Sequence, residues 1–166
     1  MRTVKIEKLS AEAFRRFGSF ANLLDPVPED VGKRPVGFYP DLVQQGLGKD
    51  SVPSFSTCRV EKRPWTVDFA EYHSVTGEGI LPLDNDILIH VGPASNPRAG
   101  VPLDQIRIFR VPRGTMVTLR PGVWHGAPFT ANDKPANVLI VLPERTYAND
   151  MSFVPLSADE QIQFEA

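Results

Sequence analysis

The sequence predicts an all-β fold, an antiparallel barrel or sandwich of many short strands. Sixteen prolines and twelve glycines are spread through the 166 residues rather than clustered, which favours strands and turns over long helices. Apolar runs of strand length alternate with turn signals at the close spacing of an antiparallel barrel. The length suits one domain, residues 1–166, with a core of useful size.

Each element has its own signal. Ser10 is placed to cap a short helix over residues 11–17, with Glu12 in the first turn and Gly18 positioned to end it. Phe14 and Phe17 then share one face. Over residues 21–53 prolines and glycines are dense and periodicity is lost, so this stretch reads as an extended N-terminal arm with short strands around Val36 to Tyr39. Strands are expected at residues 55–60, 65–73, 79–83, 87–91, 106–111, 115–119 and 137–142. Residues 92–102 form a surface loop between two halves. The domain thus divides into helix and arm (1–53), barrel (54–145) and a C-terminal segment (146–166). There is no internal repeat or low-complexity tract.

Composition excludes several classes of function. The net charge is −2 with acids and bases intermingled, so no basic face is offered to nucleic acid. No segment approaches the roughly 20 apolar residues of a membrane span, and the first residues carry no apolar signal core. A single cysteine, Cys58, allows no intrachain disulfide framework and suits a reducing compartment. Cytoplasm is the expected location.

Two stretches carry the chemistry. Glu71 and His73 are separated by one residue and point to the same face of a strand. Glu78 follows between Gly77 and Gly79. Farther on, residues 114–125 read as a strand, a Pro121-Gly122 turn and a return that carries Val123, Trp124 and His125. If Glu71, His73, Glu78 and His125 converge, two carboxylates and two neutral imidazoles suit a divalent ion such as Mn²⁺, Fe²⁺, Ni²⁺ or Zn²⁺. No organic cofactor is expected. His90 lies in a nearly continuous apolar run and reads as structural, and nothing near Cys58 activates it as a nucleophile. Arg59 and Arg120 are candidates for binding a small carboxylate substrate, because a guanidinium matches a carboxylate bidentately. Trp124 is a candidate for the substrate wall, although, like Trp65, it also suits the core.

The two stretches resemble the cupin motifs G-x5-H-x-H-x(3,4)-E-x6-G and G-x5-P-x-G-x2-H-x3-N. Glu71 stands at the first histidine, Trp65 and Asn85 at the outer glycines of the first motif, Arg120 at the proline and Phe129 at the asparagine. Leu9 through Phe14, Phe17-Gly18, Cys58-Arg59, Glu71-Tyr72-His73, Ile80-Leu81-Pro82 and Gly122-Val123-Trp124-His125 also fall in the order seen in the ureidoglycolate lyase family. That resemblance implies a single cupin-type double-stranded β-barrel (jelly roll). It implies a carbon–nitrogen lyase of allantoin breakdown, in purine metabolism, that splits ureidoglycolate into glyoxylate and urea. It also implies a homodimer. Two positions depart from the family, which carries histidine where Arg120 stands and again where Gly126 follows His125. Fold transfers from such a likeness more securely than reaction.

For that reaction no nucleophile is needed. A base takes the hydroxyl proton, the C–N bond breaks, and an acid protonates the leaving nitrogen. His125 or Glu71 is the expected base, with His73 beside them and Arg59 on the substrate carboxylate. A metal chelating the carboxylate and hydroxyl is the other route. A metal-dependent cupin sugar isomerase or epimerase would use the same residues, and a non-enzymatic small-molecule-binding cupin would bind without turnover.

Overall fold

The computed structural model describes residues 2–27, 30–49 and 52–166. Its strands are β1 (Arg2–Lys8), β2 (Gly18–Asn22), β3 (Pro53–Val60), β4 (Thr66–Val67), β5 (Phe69–Tyr72), β6 (Glu78–Pro82) and β7 (Ile87–Val91). They continue with β8 (Arg107–Val111), β9 (Thr115–Leu119), β10 (Phe129–Thr130), β11 (Ala136–Pro143), β12 (Ser152–Pro155) and β13 (Ile162–Glu165). Two single-turn helices, α1 (Ala11–Phe14) and α2 (Thr146–Asn149), complete the elements that matter here.

A six-stranded sheet of order β10-β7-β8-β1-β13-β4 faces a five-stranded sheet of order β2-β9-β6-β11-β3, and β12 pairs with β5. The fold is a cupin-type β-barrel. Period-two alternation builds its core: Ile87, Ile89 and Val91 of β7 meet Ile80, Val117 and Val138 of the opposite sheet. Leu88 points the other way, into a second cluster with Ile108, Phe129, Ile162 and Phe164.

Several expectations are corrected. The helix stops at Phe14, three residues early, although Ser10 caps it by accepting from the Ala13 amide (3.2 Å). Gly18 is no helix stop; it opens β2, and a Cβ there would come within 1.8 Å of the Thr118 carbonyl oxygen. Close strand pairing is what requires the glycine. The expected strand 65–73 is two strands interrupted at Asp68, because β4 pairs with β13 while β5 pairs with β12. His73 lies just beyond it.

No strand forms at Val36–Tyr39. There Asp30 Oδ1 instead accepts from the Gly32 and Phe38 amides at 2.9 and 2.8 Å, a side chain doing the pairing that a strand neighbour would do. Pro28, Glu29, Asp50 and Ser51 of the expected arm lie outside the described residues. The barrel also recruits strands from beyond residues 54–145: β1 pairs in parallel with both β8 and β13. Among the described residues no helix is long and apolar enough to cross a membrane.

Candidate metal centre and cavity

The two halves of the site are joined backbone to backbone. Glu71 and His125 form an isolated antiparallel bridge, with amide-to-carbonyl distances of 2.7 and 2.8 Å in the two directions. The turn before it needs Gly122, at φ 80°, whose amide donates to the His73 carbonyl at 2.6 Å. His125 is thereby delivered opposite Glu71 and beside His73. The rings of His73 and His125 lie 5.2 Å apart, centre to centre.

Glu78, at the start of β6, closes the cluster. Its Oε2 faces His125 Nε2 at 2.8 Å and His73 Nε2 at 3.1 Å. One ligand atom from each residue falls within 4.8 Å of the others, and all three side chains are buried. Each imidazole is oriented from behind, His73 Nδ1 by the Asp150 carbonyl (2.7 Å) and His125 Nδ1 by the Val123 carbonyl (2.8 Å). A carbonyl accepts, so each Nδ1 carries a proton. When the ring is neutral, the Nε2 lone pair therefore faces the common point.

Electrostatics agree with a cation there. Burial pushes the Glu78 carboxyl up, but the His125 charge and hydrogen bonds from both rings outweigh it and hold the group at about 2. Burial pushes His125 down, and Glu78 outweighs that in turn, raising it to about 9. With no metal a proton supplies the positive charge beside Glu78. A divalent ion bound by two nitrogens and a carboxylate oxygen satisfies the same carboxylate, so this donor set fits such an ion.

The sequence model for ureidoglycolate lyase matches residues 1–163. The chain belongs to the ureidoglycolate lyase family. Its family membership makes it a lyase. Among curated proteins it is similar to a ureidoglycolate lyase of Rhodobacter capsulatus, 29% identical over 129 residues, which cover 76% of this chain and 78% of that one. Among solved structures it is similar in fold to a dTDP sugar isomerase of Desulfovibrio desulfuricans, with TM-score 0.51, 16% identity and 86% of each chain covered. A Bacillus subtilis oxalate decarboxylase aligns over 80% of this chain and 38% of its own, at TM-score 0.45 and 15% identity.

In this family member the cluster opens on a cavity of about 380 Å³ whose lining includes Glu71, Glu78, Cys58 and Tyr147. Glu71 stands outside the three-residue cluster, on the cavity wall. Burial, partly offset by the His125 charge, raises its pKa. The expected substrate-binding residues are not brought here. Arg59 leaves β3 on the outer face, where its Nε donates to Glu61 Oε1 (2.9 Å), and its neighbour Cys58 takes the inward position. Arg120 is exposed on a separate shallow depression beside Ser19 and Gln44. Trp124 is buried, donates to Ser95 Oγ (2.8 Å) and packs edge-on against Tyr72, away from the cavity. His90 is buried against Phe69 and Phe129 with neither ring nitrogen partnered.

Sequence reasoning missed the contribution of the C-terminal segment. Tyr147 lies with its ring 6.2 Å from that of His73. Burial and the two nearby carboxylates push its phenol above the usual range, so it keeps its proton. Asp150 fastens the loop between His73 and Glu78. Its Oδ1 accepts from the Ser74 amide (2.8 Å) and hydroxyl (2.6 Å), and its Oδ2 from the Val75 and Thr76 amides (2.9 and 3.2 Å). Asp150→Ala is expected to weaken divalent-metal affinity by about 10- to 100-fold, the usual cost of losing support behind a ligand. Titration of the stripped protein with Mn²⁺ or Zn²⁺ measures it. Unchanged affinity would mean that the loop holds itself.

Proposed function

We propose that this lyase cleaves a hydroxy-acid carbinolamide, ureidoglycolate or a close relative, into glyoxylate and a urea, with a divalent ion held by His73, Glu78 and His125. The observation that carries the reading is Glu78 Oε2 facing two Nε2 atoms, each ring fixed from behind by a carbonyl. A second observation supports it: among the described residues the lining of the cavity includes no lysine or arginine, and the nearby Arg63 is turned to the Ala127 and Pro128 carbonyls, at 2.8 and 3.3 Å. A carboxylate substrate entering beside Glu71 and Glu78 is therefore favoured by a cation held at the cluster.

When bound, such an ion acts as a Lewis acid toward the substrate carboxylate and hydroxyl and makes the hydroxyl more acidic. Glu71 is placed to take the hydroxyl proton. Its raised pKa then suits it to return that proton to the nitrogen as the C–N bond breaks and the carbonyl forms. The elimination consumes no water. Tyr147, held protonated, donates a hydrogen bond to the leaving group. The same reading carries a place in purine breakdown, a cytoplasmic setting and a homodimer, for which the outer edge of β3, with Phe55 exposed, is a sheet edge that no strand covers among the described residues.

Urea and glyoxylate release from racemic ureidoglycolate, with added Mn²⁺ or Zn²⁺ and with chelator, tests the reading. Release is expected with metal and not with chelator. No release above the spontaneous rate in either condition would end it.

A further inference from the structure

The lining of the cavity is of two kinds. Glu71 and the buried Glu78 share it with the apolar Phe69, Ile140, Met151 and Phe153, of which Met151 and Phe153 reach the surface. The rings of Phe69 and Phe153 stack at 5.0 Å and 28°, and Phe153 lies opposite Glu71 in the β12–β5 ladder. These rings therefore stand beside Glu71 on the same cavity wall. Phe153 is 52% exposed and Met151 40%, so apolar surface at the mouth stays wet until something covers it.

The wall cannot be made polar beside His125. A Cβ on Gly126 would come 2.7 Å from His90 Cε1 and 2.9 Å from Phe69 Cε2, so the buried His90 ring fills the space a side chain would need. The volume of about 380 Å³ also falls within the roughly 300 to 1,000 Å³ of pockets that enclose drug-sized ligands. Unsubstituted ureidoglycolate is smaller and polar throughout. Bound alone, it would leave the apolar wall in contact with water and its far urea nitrogen facing carbon.

We infer that this lyase prefers a carbinolamide whose distal urea nitrogen carries an alkyl or aryl group, seated on Phe69 and Phe153 while the hydroxy-acid end lies at the metal cluster. The inference rests on the lyase reading above. The chemistry is unchanged and balances: the substituted ureidoglycolate loses its hydroxyl proton, the C–N bond breaks, the nitrogen takes the proton, and glyoxylate leaves with a monosubstituted urea.

Glyoxylate release from racemic ureidoglycolate and racemic N-butylureidoglycolate by the metal-loaded protein tests this. The butyl substrate is expected to have a kcat/KM at least about tenfold higher, since each methylene placed in an apolar pocket is worth about tenfold or more. Phe153→Ser, at a half-exposed position, should shrink that ratio severalfold, and Phe69→Leu, which keeps an apolar side chain, should shrink it less. Equal or faster cleavage of ureidoglycolate would overturn the substrate class and leave the lyase reading standing. A ratio unchanged by both variants would also overturn it. Cleavage of neither substrate removes the lyase reading and this inference with it.

Discussion

Substituting His125 by alanine is expected to empty the centre of metal and to lower turnover by about 100-fold or more, the scale of a lost acid–base or ligating group. The expectation follows from how few groups share the work. Among the described residues Glu78 Oε2 has only His73 and His125 as hydrogen-bond partners, and the variant would leave it one imidazole in a buried setting. Breaking one side of such a buried pair costs about 3 to 5 kcal/mol, so the variant should also melt earlier. Metal content after loading and desalting separates the two effects, because a folded variant with wild-type metal would show that His125 is no ligand. The backbone bridge from residue 125 to Glu71 survives the substitution. A melting curve that stays cooperative will confirm that the barrel has kept its shape.

Much of this site is legible in the sequence, and the rest fails for identifiable physical reasons. Strands β7 and β9 stand at the residues their apolar runs mark, and the His73, Glu78 and His125 spacing converges as the motif frames imply. Strand phase explains where Arg59 stands: Cys58 and Arg59 are adjacent, one must face in and the other out, and the pattern Ser56-Thr57-Cys58-Arg59 does not say which. Gly126 reads as a missing imidazole. In three dimensions it is a position with no room for one, because His90, from a strand more than thirty residues earlier, occupies the space. Asp150, Tyr147 and Phe153 escaped notice because their value depends on β12 pairing with β5 across some eighty residues. No local periodicity announces a partner that far away.

Metal affinity is expected to climb about tenfold per pH unit up to about pH 9 and then level off. In the metal-free protein Glu78 raises His125 from an ordinary value of 6.5 to about 9, so below that pH each ion must displace a proton from the ring to gain Nε2. Glu78 itself, at about 2, is already ionised across this range and adds nothing to the slope. The stability of the metal-free protein should run the opposite way. The contribution from His125 is complete below 6.5 and disappears as pH rises through about 9. The contribution from Glu78 is complete above 4.5 and disappears as pH falls through about 2. Stripped protein should therefore be most stable between those limits, while the melting-temperature gap between loaded and stripped protein widens toward alkaline pH. Isothermal titration with Zn²⁺ or Mn²⁺ at about pH 6, 7 and 8, corrected for buffer binding, reads the slope. An affinity that is flat over that span would mean that His125 is neutral before the ion arrives and that the proton beside Glu78 is not what the metal replaces.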